Sequence, residues 1–82
     1  MTREALIEAM KKEIATELHI SKEDIHPQDA FAELGLDSVS GVYLLDSLEK
    51  LTHCELNPLM LWDYPTLEKL ADYITQLKQE KE

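Results

Sequence analysis

Asp37-Ser38-Val39-Ser40-Gly41-Val42-Tyr43-Leu44-Leu45-Asp46-Ser47-Leu48-Glu49-Lys50-Leu51-Thr52 is the stretch on which the fold turns. At 100° per residue, with Val42 at 0°, Gly41, Leu44, Leu45, Leu48 and Leu51 gather between about 180° and 300°. That makes one apolar face of a helix over residues 38–52, with Asp37 as its N-cap. Val39, Val42 and Tyr43 fall on the opposite side, among Asp46, Glu49 and Lys50. A second apolar patch rimmed by acids is the pattern of a docking surface. Chance exposure, or cover from a neighbouring loop, explains the same residues equally well. Gly41 falls on the core face, where it costs up to about 1 kcal/mol relative to Ala, and close helix packing is the expected compensation.

Upstream, Leu6, Ile7, Met10, Ile14 and Leu18 form one stripe of a helix over residues 2–19, with Thr2 and Glu4 suited to its start. Residues 20–37 show no sustained period and contain Pro27. Ile25, Phe31, Leu34 and Leu36 stand as apolar pegs, and local turns at Ser21–Asp24 and Asp29–Leu34 shorten the loop. Downstream, Asn57 and Pro58 open a short helix over residues 58–62, with Leu56 stapled to Leu61. Thr66 then caps a helix over residues 66–78 with a stripe of Leu67, Leu70, Ala71, Ile74 and Leu77. Lys78 to Glu82 is expected to fray. The expectation is one all-α domain over residues 1–82: a small four-helix bundle of three main helices and one short one.

The chain's 82 residues allow one modest core, and 44% apolar with 30% charged residues is ordinary for a folded domain. The formal charge is −9, and −6 of it lies in residues 29–66, where Lys50 is the one base. Such a surface argues against nucleic acid and anionic membranes and favours partners with basic patches. No apolar run reaches membrane-spanning length, so no membrane insertion is expected. A single cysteine, Cys54, permits no internal disulfide and suits a reducing cytoplasm. It reads as a small buried residue or an inert loop thiol.

Catalytic patterns are weak. Ser38 lacks the flanking glycines of a nucleophile elbow, having Leu36 and Ser40 there. His53 sits at the far end of the same helix, about 20 Å away by helical rise. His53-Cys54 has no partner at zinc-ligand spacing, so no metal site is expected, and there is no phosphate-binding glycine loop. No catalytic residue is assigned. Taken alone, an Asp-Ser pair at a helix start reads as a cap, although the amides there would favour an attached phosphate.

Two motifs change that reading. Phe31-Ala32-Glu33-Leu34-Gly35-Leu36-Asp37-Ser38-Val39 resembles the F-x-E-L-G-x-D-S-hydrophobic attachment motif of acyl carrier proteins. Leu61-Trp62-Asp63-Tyr64-Pro65-Thr66-Leu67 is similar to a segment of polyketide-synthase carriers, and the resemblance covers nearly all of the chain. It implies the acyl-carrier bundle and a non-enzymatic role. Acyl intermediates would be held as thioesters on a 4′-phosphopantetheine arm, drawn from coenzyme A and attached to Ser38, in polyketide biosynthesis. It further implies a monomer that meets a phosphopantetheinyl transferase, an acyltransferase or other acyl-loading enzyme, and ketosynthase-like and tailoring enzymes. Asp37, Val39, Val42, Tyr43, Asp46 and Glu49 would form the docking face. Ser40 and Tyr43 stand where fatty-acid-type carriers are often acidic, and Gly35-Leu36-Asp37-Ser38 lacks the second glycine of peptidyl carriers. Those two carrier types are the alternatives, with a non-covalent helical interaction module as the competing class. Met1 and the lack of linkers favour a free-standing protein over an excised synthase domain.

Overall fold

The computed structural model describes residues 2–81; Met1 and Glu82, with the expectations resting on them, lie outside the described residues. Among the described residues, five α-helices follow one another: α1 (Arg3–Leu18), α2 (Phe31–Leu34), α3 (Ser38–Thr52), α4 (Met60–Asp63) and α5 (Leu67–Lys81), with a 3-10 turn at Lys22–Asp24. The all-α bundle of three long helices is therefore present. The four-helix count needs correcting, because the loop turns at 22–24 and 31–34 close into a 3-10 turn and a fifth, one-turn helix.

α1 packs against both α3 and α5. Leu6, Ile7, Met10 and Ile14 of α1 are buried with Leu44, Leu45 and Leu48 of α3 and Leu67, Leu70, Ala71 and Ile74 of α5. Leu18 and Leu77, at the ends of their stripes, are half-buried. The helix ends follow from local chemistry. Thr2 Oγ1 accepts the Ala5 N–H at 3.1 Å, and Thr66 Oγ1 accepts the Lys69 N–H at 3.2 Å. His19 and His53 leave α1 and α3 in left-handed conformations, with φ of 56° and 59°. Lys78 Nζ donates to the Thr52 carbonyl at 3.1 Å, which ties α5 to the end of α3. The last turn of α5 is thus anchored at Lys78, and the helix extends to Lys81.

Two further expectations need correcting. Leu51 is 44% exposed. It sits at the edge of the α3 stripe, and Thr52, nearer the stripe centre, takes the buried place, its hydroxyl donating to the Leu48 carbonyl at 2.7 Å. The short helix begins at Met60 and not at Pro58. Asn57 still organises its entry, because its Oδ1 accepts the Leu59 N–H at 2.8 Å.

The long aperiodic segment is stitched to the start of α5. Glu68 N–H donates to the Pro27 carbonyl at 2.9 Å and Phe31 N–H to the Pro65 carbonyl at 2.8 Å. Ala30 and Thr66 form an isolated antiparallel bridge. With Ile25 and Phe31 buried as pegs, the segment holds the start of α3 at a fixed place against α4 and α5.

Candidate functional site: the start of α3 and its groove

Ser38 is the first residue of α3 and is solvent-exposed. The backbone before it is built in two steps. Gly35 adopts φ 98°, a left-handed conformation that a side chain would strain, just past α2. Its N–H donates to the Ala32 carbonyl at 3.2 Å and the Leu36 N–H to the Phe31 carbonyl at 3.1 Å, the Schellman pattern that reverses the chain. Asp37 then extends, and its Oδ1 accepts the Ser40 N–H at 2.8 Å. The hydrogen bonds from Ser40 hold the Asp37 carboxyl below the usual carboxylate range. Asp37 is therefore the cap, which leaves the hydroxyl of Ser38 free of that duty.

The outward face of α3 is as the periodicity places it: Val39, Val42 and Tyr43 are 61%, 47% and 56% exposed. The two acids differ from each other. Asp46 is exposed but pairs with Lys50 at 3.1 Å, and Glu49 is half-buried. The face is therefore less negative around Asp46 than a count of acids suggests.

Beside Ser38 lies a groove of about 440 Å³, lined by Phe31, Ala32, Leu36, Asp37, Ser38, Val42, Pro58, Leu59, Leu61, Trp62 and Pro65. The α4 wall was missed from sequence. The available signal was the unbroken apolar run Leu59-Met60-Leu61-Trp62, which a one-turn helix cannot bury on all sides. Met60 and Leu61 turn inward, while Leu59 and Trp62 are 64% and 83% exposed. Gly41 is buried beneath Leu61, and a β-carbon there would overlap Leu61 Cδ1 far inside van der Waals contact. The glycine lets Leu61 pack closely on α3.

His19 and His53 serve as left-handed helix ends, and Cys54 is a buried free thiol. Among the described residues, no three His, Cys, Asp or Glu side chains are grouped to hold a metal ion, and no helix is long and apolar enough to cross a membrane.

The arrangement fits a covalently tethered phosphate group: an exposed serine hydroxyl at the start of a fifteen-residue helix, with an apolar groove leading away from it. A family model described as a phosphopantetheine attachment site matches residues 8–74. Mycoketide-CoA synthase of Mycobacterium tuberculosis is 40% identical over 70 residues, 84% of this chain and 2% of that protein. Polyketide synthase PksL of Bacillus subtilis is 31% identical over 90% of this chain, again 2% of its own length. The chain thus spans a very small part of these relatives. Among solved structures, a free-standing peptidyl carrier protein from Acinetobacter baumannii has a TM-score of 0.86 and 35% identity, covering 92% of this chain and 94% of its own. The HMG-ACPI domain from the CurA module of Lyngbya majuscula also has a TM-score of 0.86, at 29% identity, covering 98% of this chain and 81% of its own.

Proposed function

The chain belongs to the phosphopantetheine attachment-site family, and from that premise we propose that it is a polyketide-type acyl carrier whose attachment residue is Ser38. The observation that supports this most is the division of labour at the start of α3. Asp37 caps the helix, so Ser38 presents an exposed hydroxyl at the rim of an apolar groove. When bound, the 4′-phosphopantetheine arm supplies a terminal thiol on which acyl groups are held as thioesters. This chain's own residues bind and present. The first turn of α3 favours the phosphate through its amides and its dipole, and the rigid turn at Gly35 fixes where the arm leaves the surface.

Attachment forms a bond from Ser38 Oγ to phosphorus and breaks the pyrophosphate bond of coenzyme A. Adenosine 3′,5′-bisphosphate leaves, and the hydroxyl proton passes to solvent. The step belongs to a phosphopantetheinyl transferase, and the carrier itself is not an enzyme. Its further partners are an acyl-loading enzyme and ketosynthase-like and tailoring enzymes, docking on Asp37, Val39, Val42, Tyr43, Asp46 and Glu49. The charge of −6 over residues 29–66 supports partners with basic surfaces. A cytoplasmic setting accords with the free Cys54 thiol. The polyketide reading draws on the curated relatives. The likeness to a peptidyl carrier supports a second reading, against which stands Leu36 in place of that type's second glycine.

The test is the intact mass after incubation with coenzyme A and a broad-specificity transferase. One phosphopantetheine should be gained, and Ser38→Ala should gain none while keeping its helicity, because Asp37 still caps α3. A modified Ser38→Ala protein, or a wild type that is never modified, overturns the assignment.

A further inference from the structure

Burial alone does not account for the way α4 is turned. In the apolar run that carries it, Met60 and Leu61 face inward, while Leu59 and Trp62 are 64% and 83% exposed. Apolar attraction is non-directional and grows with the area removed from water. Trp62 has the largest of these side chains. A turn of about 100° about the helix axis would bring it to the place of Leu61, and area alone would favour that turn. Something directional holds the tryptophan out.

A directional contact stands at the end of α4. Tyr64 closes the helix, its N–H donating to the Met60 carbonyl at 2.7 Å. Its ring stacks on Tyr73 of α5, with centroids 4.3 Å apart and planes 15° from parallel. Aromatic pairs have preferred orientations as well as distances, so the stack resists rotation where an aliphatic contact would slide. Tyr73 is a firm post for it, because Leu70 and Ile74 beside it on the fifteen-residue α5 are fully buried. The chain just past Tyr64 is also held, since the Pro65 carbonyl accepts the Phe31 N–H at 2.8 Å. On the α3 side, Leu61 rests on Gly41. Trp62 and Ser38 line the same groove, so an enzyme that reaches the Ser38 hydroxyl passes over Trp62.

Resting on the attachment reading, we propose that Tyr73 is a positioning residue for loading at Ser38: stacked on Tyr64, it stops α4 from turning and keeps Trp62 outward, where the transferase meets it. Tyr73 acts through Tyr64 and not by touching Ser38. Without the stop, α4 divides between rotations, and apparent affinity for the transferase falls by the fraction that stays competent.

Trp62 is the chain's one tryptophan, and its emission reports the rotation of α4 before any loading. Wild type, Tyr73→Leu and Tyr73→Phe are compared by Trp62 emission, acrylamide quenching and thermal midpoint. KM and kcat for transfer from coenzyme A by the transferase are then measured, with each product verified by intact mass. In Tyr73→Leu, Trp62 should shift to the blue and be quenched less. Its KM should rise about two- to tenfold, the factor an aromatic pair contributes, with kcat unchanged. Tyr73→Phe keeps the ring and should return every reading to that of wild type. A lower thermal midpoint in Tyr73→Leu with Trp62 emission and KM unchanged means that the stack only holds the fold, and overturns the proposal. So does a Tyr73→Phe protein that behaves as Tyr73→Leu, since the ring is then not what acts. Should Tyr73→Leu fail to fold by circular dichroism, Tyr64→Leu removes the other ring and is read in the same way. Failure of both to fold assigns the rings to the core and overturns the proposal. Wild type that gains no mass overturns the attachment reading and the role in loading with it, whereas normal loading with an unchanged KM in Tyr73→Leu overturns this inference alone.

Discussion

Leu61 of α4 rests on the backbone of Gly41 in α3, in space that a single β-carbon would claim. The contact joins the short helix to the long one and explains a glycine that helix propensity alone would replace. It also makes the two positions interdependent. In most exposed helices Gly→Ala gains up to about 1 kcal/mol. Here Gly41→Ala should gain little or lose, since Leu61 must swing away. In a Leu61→Ala background the same change should recover the ordinary gain. A double-mutant cycle by urea unfolding measures the coupling. Equal effects of Gly41→Ala in the two backgrounds would show that the contact is not what holds the glycine.

The two faces of α3 should differ sharply in stability. Leu45 and Leu48 are each 1% exposed, and Val39 is 61% exposed. Truncation of either leucine to Ala should cost about 2–5 kcal/mol. That is a large share of the stability of a small domain, near the low end of about 5–15 kcal/mol. Val39→Ala should cost far less. The urea midpoints of the three variants decide this, and a Val39 effect as large as that of Leu48 would mean the faces are assigned wrongly.

The bundle was legible because three stripes repeat with helical period and because Thr2, Asp37 and Thr66 cap where they stand in the sequence. Ser38, Val39, Val42 and Tyr43 were legible for the same reason, as residues off the core stripe. What escaped was anything decided between segments. Leu51 and Thr52 differ by 100° on the helix, and hydropathy points to the leucine although Thr52 lies nearer the stripe centre and is the one buried. The turn expected at Asp29–Leu34 is present as α2, but its tie to the carbonyl of Pro65, more than thirty residues away, stands in no local pattern. The Leu59–Trp62 wall of the groove depends on which side of a one-turn helix faces inward, and four apolar residues in a row carry no period. The Asp46–Lys50 pair is the exception, since it lies four residues apart within α3 and that spacing stands in the sequence.

Asp37 gives a pH dependence of known sign. Its carboxyl is held below the usual value of about 3.9 by the hydrogen bonds from Ser40. A depressed native pKa means that its stabilising effect is fully present above the unfolded value and is lost as pH falls through the native one. Glu8, hydrogen-bonded to Lys22, and Glu23, hydrogen-bonded to Ser21, are lowered in the same direction. The thermal midpoint should therefore hold from pH 7 to about 5 and decline below about 4. Asp37→Asn keeps a capping oxygen without a titrating group, so its decline should be shallower. An identical acid profile in wild type and Asp37→Asn would remove Asp37 from the account.

The outward face of α3 separates docking from accidental exposure through kinetics. Apolar contact sets how long a complex lasts, and complementary charge sets how quickly it forms. Val42→Asp should thus speed dissociation from partner enzymes while leaving helicity and thermal midpoint unchanged. Reversing Asp46 and Glu49 to Lys should slow association, and added salt should slow association of the wild type as the screening length contracts below about 8–10 Å. The Asp46–Lys50 pair adds a sharper case. Lys50→Ala exposes the Asp46 charge and should speed association at low salt, and the advantage should fade as salt rises. Stopped-flow association and transfer rates across ionic strength measure all three. Wild-type rates in every variant would mean that enzymes grip elsewhere, and the exposed Leu59 and Trp62 of α4 would be the next residues to change.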